Sequence, residues 1–206
     1  MRVLVVGGSG RIGRFAVDAA LAAGHDVTAL AGRPTANAAV RTVIADIGDA
    51  RAVDHALASV DAVIAAVGPR SNTLEDERAV IAGMRNLVAA AERHGIARVV
   101  ALSGAGVDVA NDFKPFLDRL ASAFVRRAAK HIVAAKQGEY EVLASSGLAW
   151  TALRPPLVTD GPARGYRLDL RLRPGARVTR ADVGQALADQ LTDETFVLLA
   201  PFVLPR

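Results

Sequence analysis

The segment Val5-Val6-Gly7-Gly8-Ser9-Gly10-Arg11-Ile12-Gly13 lies near the start of this 206-residue chain and decides how it folds. The apolar run Arg2–Val6 leads into it and is typical of a β-strand, whereas Arg11–Ala23 leads out of it with the apolar spacing of an amphipathic helix. A strand that turns into a helix over a few glycines is the first half of a βαβ unit. The segment therefore predicts an α/β protein.

The three spaced glycines of this turn also predict a ligand. Gly7 permits the tight turn, Gly10 lets the backbone approach a pyrophosphate, and Gly13 lets the helix pack close to the sheet. The helix N-terminus adds amide donors and the positive end of its dipole. The turn therefore predicts a dinucleotide site, and the alternative is an ordinary glycine-rich turn.

Strand-like and helix-like segments continue to alternate along the chain, as in a parallel sheet covered by helices. The later predicted strands are Asp26–Leu30, Arg41–Ile44, Asp61–Ala66, Arg98–Leu102, Leu148–Leu153 and Phe196–Leu199, and the later predicted helices are Asp49–Ala58, Leu74–His94, about 116–146 and Arg180–Leu191. Alternation over Tyr166–Leu172, followed by Pro174-Gly175, predicts a small antiparallel hairpin. We expect one α/β domain over residues 1–206, Rossmann-type and doubly wound with a mostly parallel sheet, in which a small C-terminal segment at about 157–180 covers the substrate.

The composition supports a soluble α/β protein and excludes several kinds of site. Hydrophobic residues make up 51% of the chain and aromatic residues only 4%, so the core is expected to be built from Ala, Val, Leu and Ile. The absence of cysteine excludes disulfides, thiolate metal sites and a cysteine nucleophile. Because the four histidines lack metal-ligand spacing, we predict no metal. The N-terminal apolar run is too short for a signal peptide, and no run reaches the roughly 18 apolar residues of a membrane span. We therefore expect a cytoplasmic protein.

The end of the second predicted strand bears on the choice of cofactor. An acidic residue there would bind the ribose 2′-hydroxyl of NAD, whereas an arginine would accept the 2′-phosphate of NADP. The sequence at this point is Ala31-Gly32-Arg33, and Asp26 lies at the opposite end of the strand. Arg11 of the glycine turn can converge with Arg33 on a phosphate. This pattern favours NADP(H), with NAD as the alternative and two solvated surface arginines as the simpler interpretation.

Several motifs in order resemble one known family. They are the glycine turn, Ala45-Asp46-Ile47, Asp61-Ala62-Val63-Ile64, Arg85-Asn86-Leu87-Val88 and Arg154-Pro155-Pro156. Together they resemble an atypical short-chain dehydrogenase/reductase of the NAD(P)H-binding kind, closest to the biliverdin IXβ reductase/flavin reductase group, over nearly the whole chain. The resemblance implies that Asp46 and Ile47 contact the adenine and that Gly68 lies beside the cofactor. It also implies that Ser103 stands near the nicotinamide and that Lys136 contacts the ribose.

The candidate site residues follow from the turn, the arginines and this resemblance. The cofactor-binding candidates are Gly7, Ser9, Gly10, Arg11, Ile12, Gly13, Arg33, Asp46, Ile47, Gly68, Ser103, Lys136 and Pro155, and the catalytic candidates are Ser103 and Lys136.

Three departures from the resemblance affect the chemistry. Ordinary members of the superfamily have a tyrosine acid four residues before the lysine, but that place is Ile132. Leu157 follows the paired prolines, at the position where the biliverdin-type reductases have a histidine. Gly104 occupies the position where they tend to have a second hydroxyl residue. Flavins, quinones and tetrapyrroles can accept hydride into a conjugated system and take the proton from solvent. We therefore expect an NADP(H)-dependent oxidoreductase acting on such an acceptor, to which Ser103 can donate a hydrogen bond or else bond locally to backbone. A non-catalytic NADP(H)-binding redox sensor is the alternative.

Basic residues crowd two stretches, Lys114–Lys136 and Arg164–Arg180, in a chain of net charge +4. Such residues are usual on a solvated face, but they can also form an electropositive rim that attracts an anionic substrate. Aromatic residues are not interleaved with them, so we predict no nucleic-acid partner. The expected partner is a small molecule, planar or anionic, and the oligomeric state stays open.

Overall fold

A six-stranded parallel sheet forms the centre of the molecule, which confirms the predicted fold class. The computed structural model describes residues 1–109, 129–173 and 175–206. The sheet strands are β1 (Arg2–Val6), β2 (Asp26–Ala31), β3 (Arg41–Ile44), β4 (Ala62–Ala65), β5 (Arg98–Leu102) and β6 (Ala149–Leu153). Their order is β3-β2-β1-β4-β5-β6, so the chain winds outward from β1, returns beside it as β4 and winds outward again. The crevice between β1 and β4 is the switch point at which doubly wound sheets bind ligands.

Helices cover both faces of this sheet. They are α1 (Gly13–Ala22), α2 (Ala50–Leu57), α3 (Leu74–Arg93), α4 (Lys130–Ala144) and α5 (Arg180–Asp189). In β1 the side chains of Leu4 and Val6 join a core with α2, α3 and α4. Those of Val3 and Val5 join a second core with α1 and α5. Because both faces are buried, β1 is a continuous apolar run and not an alternating one.

The start of α4 is fixed by a side chain from another part of the chain. Helices α2, α3 and α5 are capped by the side chains of Asp49, Thr73 and Thr179. Helix α4 instead begins after Ala129, whose side chain cannot accept a hydrogen bond. The side-chain oxygen of Asn72, in the loop between β4 and α3, accepts from the backbone amides of His131 (2.9 Å) and Ile132 (3.3 Å). The loop that follows β4 is thereby tied to α4.

The C-terminal part contains four short strands and corrects the predicted hairpin. They are β7 (Leu157–Thr159), β8 (Tyr166–Asp169), β9 (Arg177–Thr179) and β10 (Phe202–Pro205). Strand β8 pairs antiparallel with β10, and β9 pairs parallel with β7, so the hairpin prediction is wrong. The alternating pattern identified a strand at β8, but its partner lies more than 30 residues further along the chain.

The predicted last strand, Phe196–Leu199, is also wrong. These residues form a turn in which Leu198 has φ of +60° and its amide donates to the carbonyl of Trp150 at 2.7 Å. The strand is instead β10, where Phe202, Val203 and Leu204 are fully buried. A turn of apolar residues packed beside β6 resembles a short strand in composition, which explains the error.

Some predictions fall outside the described residues. These are the part of the predicted helix before residue 129, the basic residues Lys114, Arg119, Arg126 and Arg127, and Pro174 of the predicted turn. Within the described ranges, none of the helices combines the length and the apolar character needed to cross a bilayer.

Candidate functional site

An open groove runs along the carboxyl ends of four neighbouring strands at the switch point of the sheet. Its lining includes Gly7, Ser9 and Gly10 after β1, Gly32 after β2, Asp46 and Ile47 after β3, and Val67, Gly68 and Arg70 after β4. Six of the predicted cofactor residues therefore line one groove, although they come from three separate segments of the chain. Ligands of doubly wound sheets bind in this position, beyond the carboxyl ends of the strands.

The glycine turn is tight and lets α1 begin close to the end of β1. Gly7 has φ of +81°, its amide donates to the carbonyl of Leu30 (2.8 Å), and its own carbonyl accepts from the amide of Gly10 (2.8 Å). A Cβ atom on Gly13 would stand 2.1 Å from that same carbonyl oxygen, so only glycine allows α1 to start so close to the turn. The first turn of α1 has no acidic residue to neutralise its positive dipole end. The backbone of this turn therefore fits a pyrophosphate.

The Arg33 side chain reaches the glycine turn. Its Nη2 donates to the carbonyl of Ser9 at 3.2 Å, which carries the guanidinium from the end of β2 to the rim of the groove. Arg11 is exposed on the same turn. Two exposed arginines are therefore carried by the glycine turn and by the segment that hydrogen-bonds to it.

Arg70 is a groove residue that the sequence reasoning missed. Its Nη2 lies 2.8 Å from Oδ2 of Asp46 and 3.8 Å from the position that a Cβ atom on Gly32 would occupy. Arg70 thus reaches from the loop after β4 to the ends of β2 and β3. The two side chains of the ion pair are 78% and 57% exposed, so the pair contributes little to stability. The sequence feature that could have indicated Arg70 is its position, two residues after the predicted cofactor residue Gly68.

The loop that carries Asp46 and Ile47 is anchored from α3. The Asn86 side-chain amide donates to the carbonyls of Ile47 (3.3 Å) and Gly48 (3.1 Å). The Ile47 side chain is buried against Gly83, where a Cβ atom would stand 2.4 Å from it. This packing holds Asp46 at the groove and explains why an asparagine occurs in the middle of α3.

Ser103 lies directly after β5, beyond the Gly68 end of the groove. It is 8% exposed, and its Oγ has no hydrogen-bond partner among the described residues, although its backbone amide donates to the carbonyl of Leu153 at 2.8 Å. A buried hydroxyl without a partner costs free energy, so this group fits a site that a ligand completes. The carbonyl of Pro155 accepts from the amide of Ala105 at 3.2 Å, which places the paired prolines beside the same loop.

Lys136 reaches the same end of the sheet from α4. Its Nζ donates to the carbonyls of Val67 (2.5 Å) and Leu102 (3.0 Å), and it lies 2.8 Å from Oε2 of Glu139. Burial raises the pKa of Glu139 above its ordinary value, and the nearby Lys136 ammonium opposes this rise.

Neither of the two tyrosines of the chain lies at the groove. The Tyr140 ring packs edge-on against Trp150 with its centroid 5.8 Å away, inside the core. The hydroxyl of Tyr166 donates to Asp189 at 2.5 Å, and its burial and this carboxylate raise its pKa. Ile132, at the place of the usual tyrosine acid, is 38% exposed. Among the described residues there is also no group of three side chains that could hold a metal ion.

A parallel sheet of this strand order, with a glycine turn and an open groove at its switch point, defines a dinucleotide-binding domain. The chain belongs to the NAD(P)H-binding family, whose model matches residues 7–194.

Several solved structures share this fold. SP1627 of Streptococcus pneumoniae TIGR4, a candidate NADH-flavin reductase, is 20% identical with a TM-score of 0.81 and full coverage of both chains. The anaerobilin reductase ChuY of Escherichia coli O157:H7 is 20% identical with a TM-score of 0.79, over 100% of this chain and 97% of that one. A short-chain dehydrogenase/reductase of Veillonella parvula, solved in complex with NADP, is 21% identical with a TM-score of 0.77, over 98% and 93%. These likenesses confirm the fold, and the family model confirms the NAD(P)H-binding family that the sequence motifs indicated.

Proposed function

We propose that this protein is an NADP(H)-dependent oxidoreductase that transfers hydride to a conjugated acceptor of the flavin, quinone or tetrapyrrole kind. The observation that carries the proposal is the buried hydroxyl of Ser103, which has no hydrogen-bond partner among the described residues. It lies beyond the far end of a dinucleotide groove where no tyrosine is present. Membership of the NAD(P)H-binding family supports the cofactor class.

Different residues of the chain bind different parts of the cofactor. The amides of the glycine turn and the N-terminus of α1 bind the pyrophosphate, and Ile12 and Gly13 set the entry of that helix. Arg33, with Arg11, binds the 2′-phosphate of NADP, while Asp46 and Ile47 contact the adenine. When bound, the nicotinamide supplies hydride, and the protein contributes position and polarity. NAD is the alternative cofactor.

The acceptor class follows from which groups could donate a proton. A simple ketone needs an acid of suitable pKa, and the tyrosine that supplies it in ordinary relatives is replaced by Ile132. A conjugated acceptor can take its proton from water, and Ser103 can orient it with one hydrogen bond. Ile132 and Leu157 are exposed apolar residues at the two places where relatives carry polar groups. The candidate flavin reductase and the anaerobilin reductase of the same fold support this class.

Further parts of the proposal concern the surroundings of the site. The segment at about 157–180 covers the acceptor, which is a small planar or anionic molecule, and the protein acts in the cytoplasm.

The proposal is tested by single-turnover oxidation of bound NADPH against a panel of flavins, quinones and bilins. We expect at least one acceptor to be reduced, with a primary isotope effect when the transferred hydrogen of NADPH is deuterium. The rate should lack the steep pH dependence of a titrating tyrosine acid. The Gly10→Val variant is the control, because it should neither bind NADPH nor react. Tight NADPH binding without hydride transfer to any acceptor would instead favour the redox sensor.

A further inference from the structure

The ammonium of Lys136 is surrounded by groups of the protein itself. A lysine ammonium has three N–H donors and no acceptor. Three oxygen atoms surround Nζ: the carbonyl of Val67 at 2.5 Å, the carbonyl of Leu102 at 3.0 Å and Oε2 of Glu139 at 2.8 Å. The two carbonyls each accept a hydrogen bond from the ammonium, and the carboxylate forms an ion pair with it. Binding a ribose hydroxyl would require one of these interactions to break.

Glu139 holds the lysine in this place from one turn further along α4. Its side chain is 5% exposed, and no hydrogen-bond donor other than the Lys136 ammonium stands near its carboxylate among the described residues. A buried carboxylate is stable only beside an opposite charge or in its protonated form. The pair therefore fixes the direction of the Lys136 side chain. If the ammonium moved away, the Glu139 carboxylate would be left buried without a partner charge.

The two carbonyls belong to the residues that precede the far end of the cofactor groove. Val67 immediately precedes Gly68, and a Cβ atom on Gly68 would stand 3.1 Å from both Cε and Nζ of Lys136. Leu102 ends β5 and immediately precedes Ser103, whose buried Oγ has no partner within the described ranges. One ammonium thus joins the carboxyl ends of β4 and β5, which are adjacent in the sheet.

We propose that Lys136, held by Glu139, is a positioning residue that ties the ends of β4 and β5 together and thereby sets Gly68 and Ser103 against the nicotinamide and the acceptor. This inference rests on the proposed function, and it replaces the ribose contact that the family resemblance implied for Lys136. The pyrophosphate and adenosine sites lie on β1, β2 and β3, and Lys136 touches none of them. Loss of Lys136 therefore acts on hydride transfer and leaves cofactor affinity nearly intact.

The test compares Lys136→Met with Lys130→Met, which removes the same charge from an exposed position on the same helix. We expect Lys136→Met to change the NADPH dissociation constant by less than about threefold, because ground-state binding is made elsewhere. Its single-turnover hydride-transfer rate at saturating NADPH should fall by about tenfold to a hundredfold, since a misplacement of about 1 Å is enough for such a loss. The fluorescence enhancement of the bound reduced nicotinamide should also decrease. Lys130→Met should change none of these.

A double variant separates positioning from stability. Lys136→Met leaves Glu139 buried without its partner and should lower the melting temperature, whereas Lys136→Met/Glu139→Gln should recover most of that loss. We expect the hydride-transfer rate of the double variant to stay low. Recovery of the rate together with the melting temperature would show a purely structural role. An NADPH dissociation constant raised tenfold or more, with an unchanged rate at saturation, would show that Lys136 is a ribose ligand. If the wild type reduces no acceptor, the proposed function fails, and the nicotinamide fluorescence of these variants still decides the role of Lys136.

Discussion

Replacing Arg33 with methionine should change the cofactor preference of this protein. The guanidinium is held at the glycine turn by its bond to the carbonyl of Ser9 (3.2 Å), and methionine keeps most of the side-chain length without the charge. A charge-assisted hydrogen bond to phosphate contributes about 1.5 to 3 kcal/mol, which corresponds to roughly 10- to 150-fold in affinity. Because Arg33 is exposed, solvent screening puts the effect near the lower limit, at about tenfold for NADPH. NADH lacks the 2′-phosphate, so its affinity should change by less than about twofold.

Calorimetric titration of both cofactors into wild type and variant measures this effect. Arg41→Met is the matched control, because Arg41 is also exposed but lies at the amino end of β3, at the opposite edge of the sheet from the groove. It loses the same charge and should leave both affinities unchanged. The reasoning is refuted if Arg33→Met weakens NADH as much as NADPH, or if Arg41→Met has the same effect as Arg33→Met. A wild type that binds NADH as tightly as NADPH would remove the phosphate site altogether.

Three further predictions concern the turn, the serine and the buried carboxylate. Gly10→Val should abolish NADPH binding in a titration while the circular dichroism spectrum stays native. A Cβ atom there meets only the carbonyl of Gly7, at 3.0 Å, and otherwise projects toward the groove. A variant that binds NADPH normally would contradict the site. Ser103→Ala should slow hydride transfer only modestly but raise the melting temperature. It removes a buried hydroxyl that has no partner in the described part of the chain, and such a group costs about 1 to 3 kcal/mol. A lower melting temperature would mean that the hydroxyl is bonded in the free protein. Burial raises the pKa of Glu139 above its ordinary 4.5, so the folded state binds this proton more tightly than the unfolded state. The free energy of unfolding should therefore decrease as pH rises from about 4.5 through the raised pKa. Urea unfolding of Glu139→Gln should show a smaller decrease over the same pH range. An equal dependence of the unfolding free energy on pH in wild type and variant would contradict this.

The fold and one wall of the site could be predicted from local sequence. The glycine turn, the apolar strand before it and the helix after it are neighbours along the chain, and their pattern determines their conformation directly. The position of Arg33 followed from the same logic, because the carboxyl ends of parallel strands meet at one edge of the sheet. The family resemblance added Asp46, Ile47 and Gly68, which line the same groove in the structure.

Contacts between distant segments could not be predicted in this way. The pairing of β8 with β10 depends on which edge is left free after the rest of the chain has folded, and an alternating pattern contains no information about its partner. Arg70 reaches Asp46 across the groove, and Asn72 caps α4 from 59 residues away. Such polar contacts satisfy particular unpaired groups, which exist only once the elements are packed.

Lys136 shows this division most clearly. The sequence by itself determined that a lysine stands on α4 with a glutamate one turn later and with isoleucine in place of tyrosine. Only the tertiary structure decided that its ammonium donates to the carbonyls of Val67, just after β4, and Leu102, at the end of β5, beside the carboxylate of Glu139. The physical reason is that spacing along a helix sets which side chains share a face, whereas the acceptors they meet belong to strands that reach the site by long-range packing.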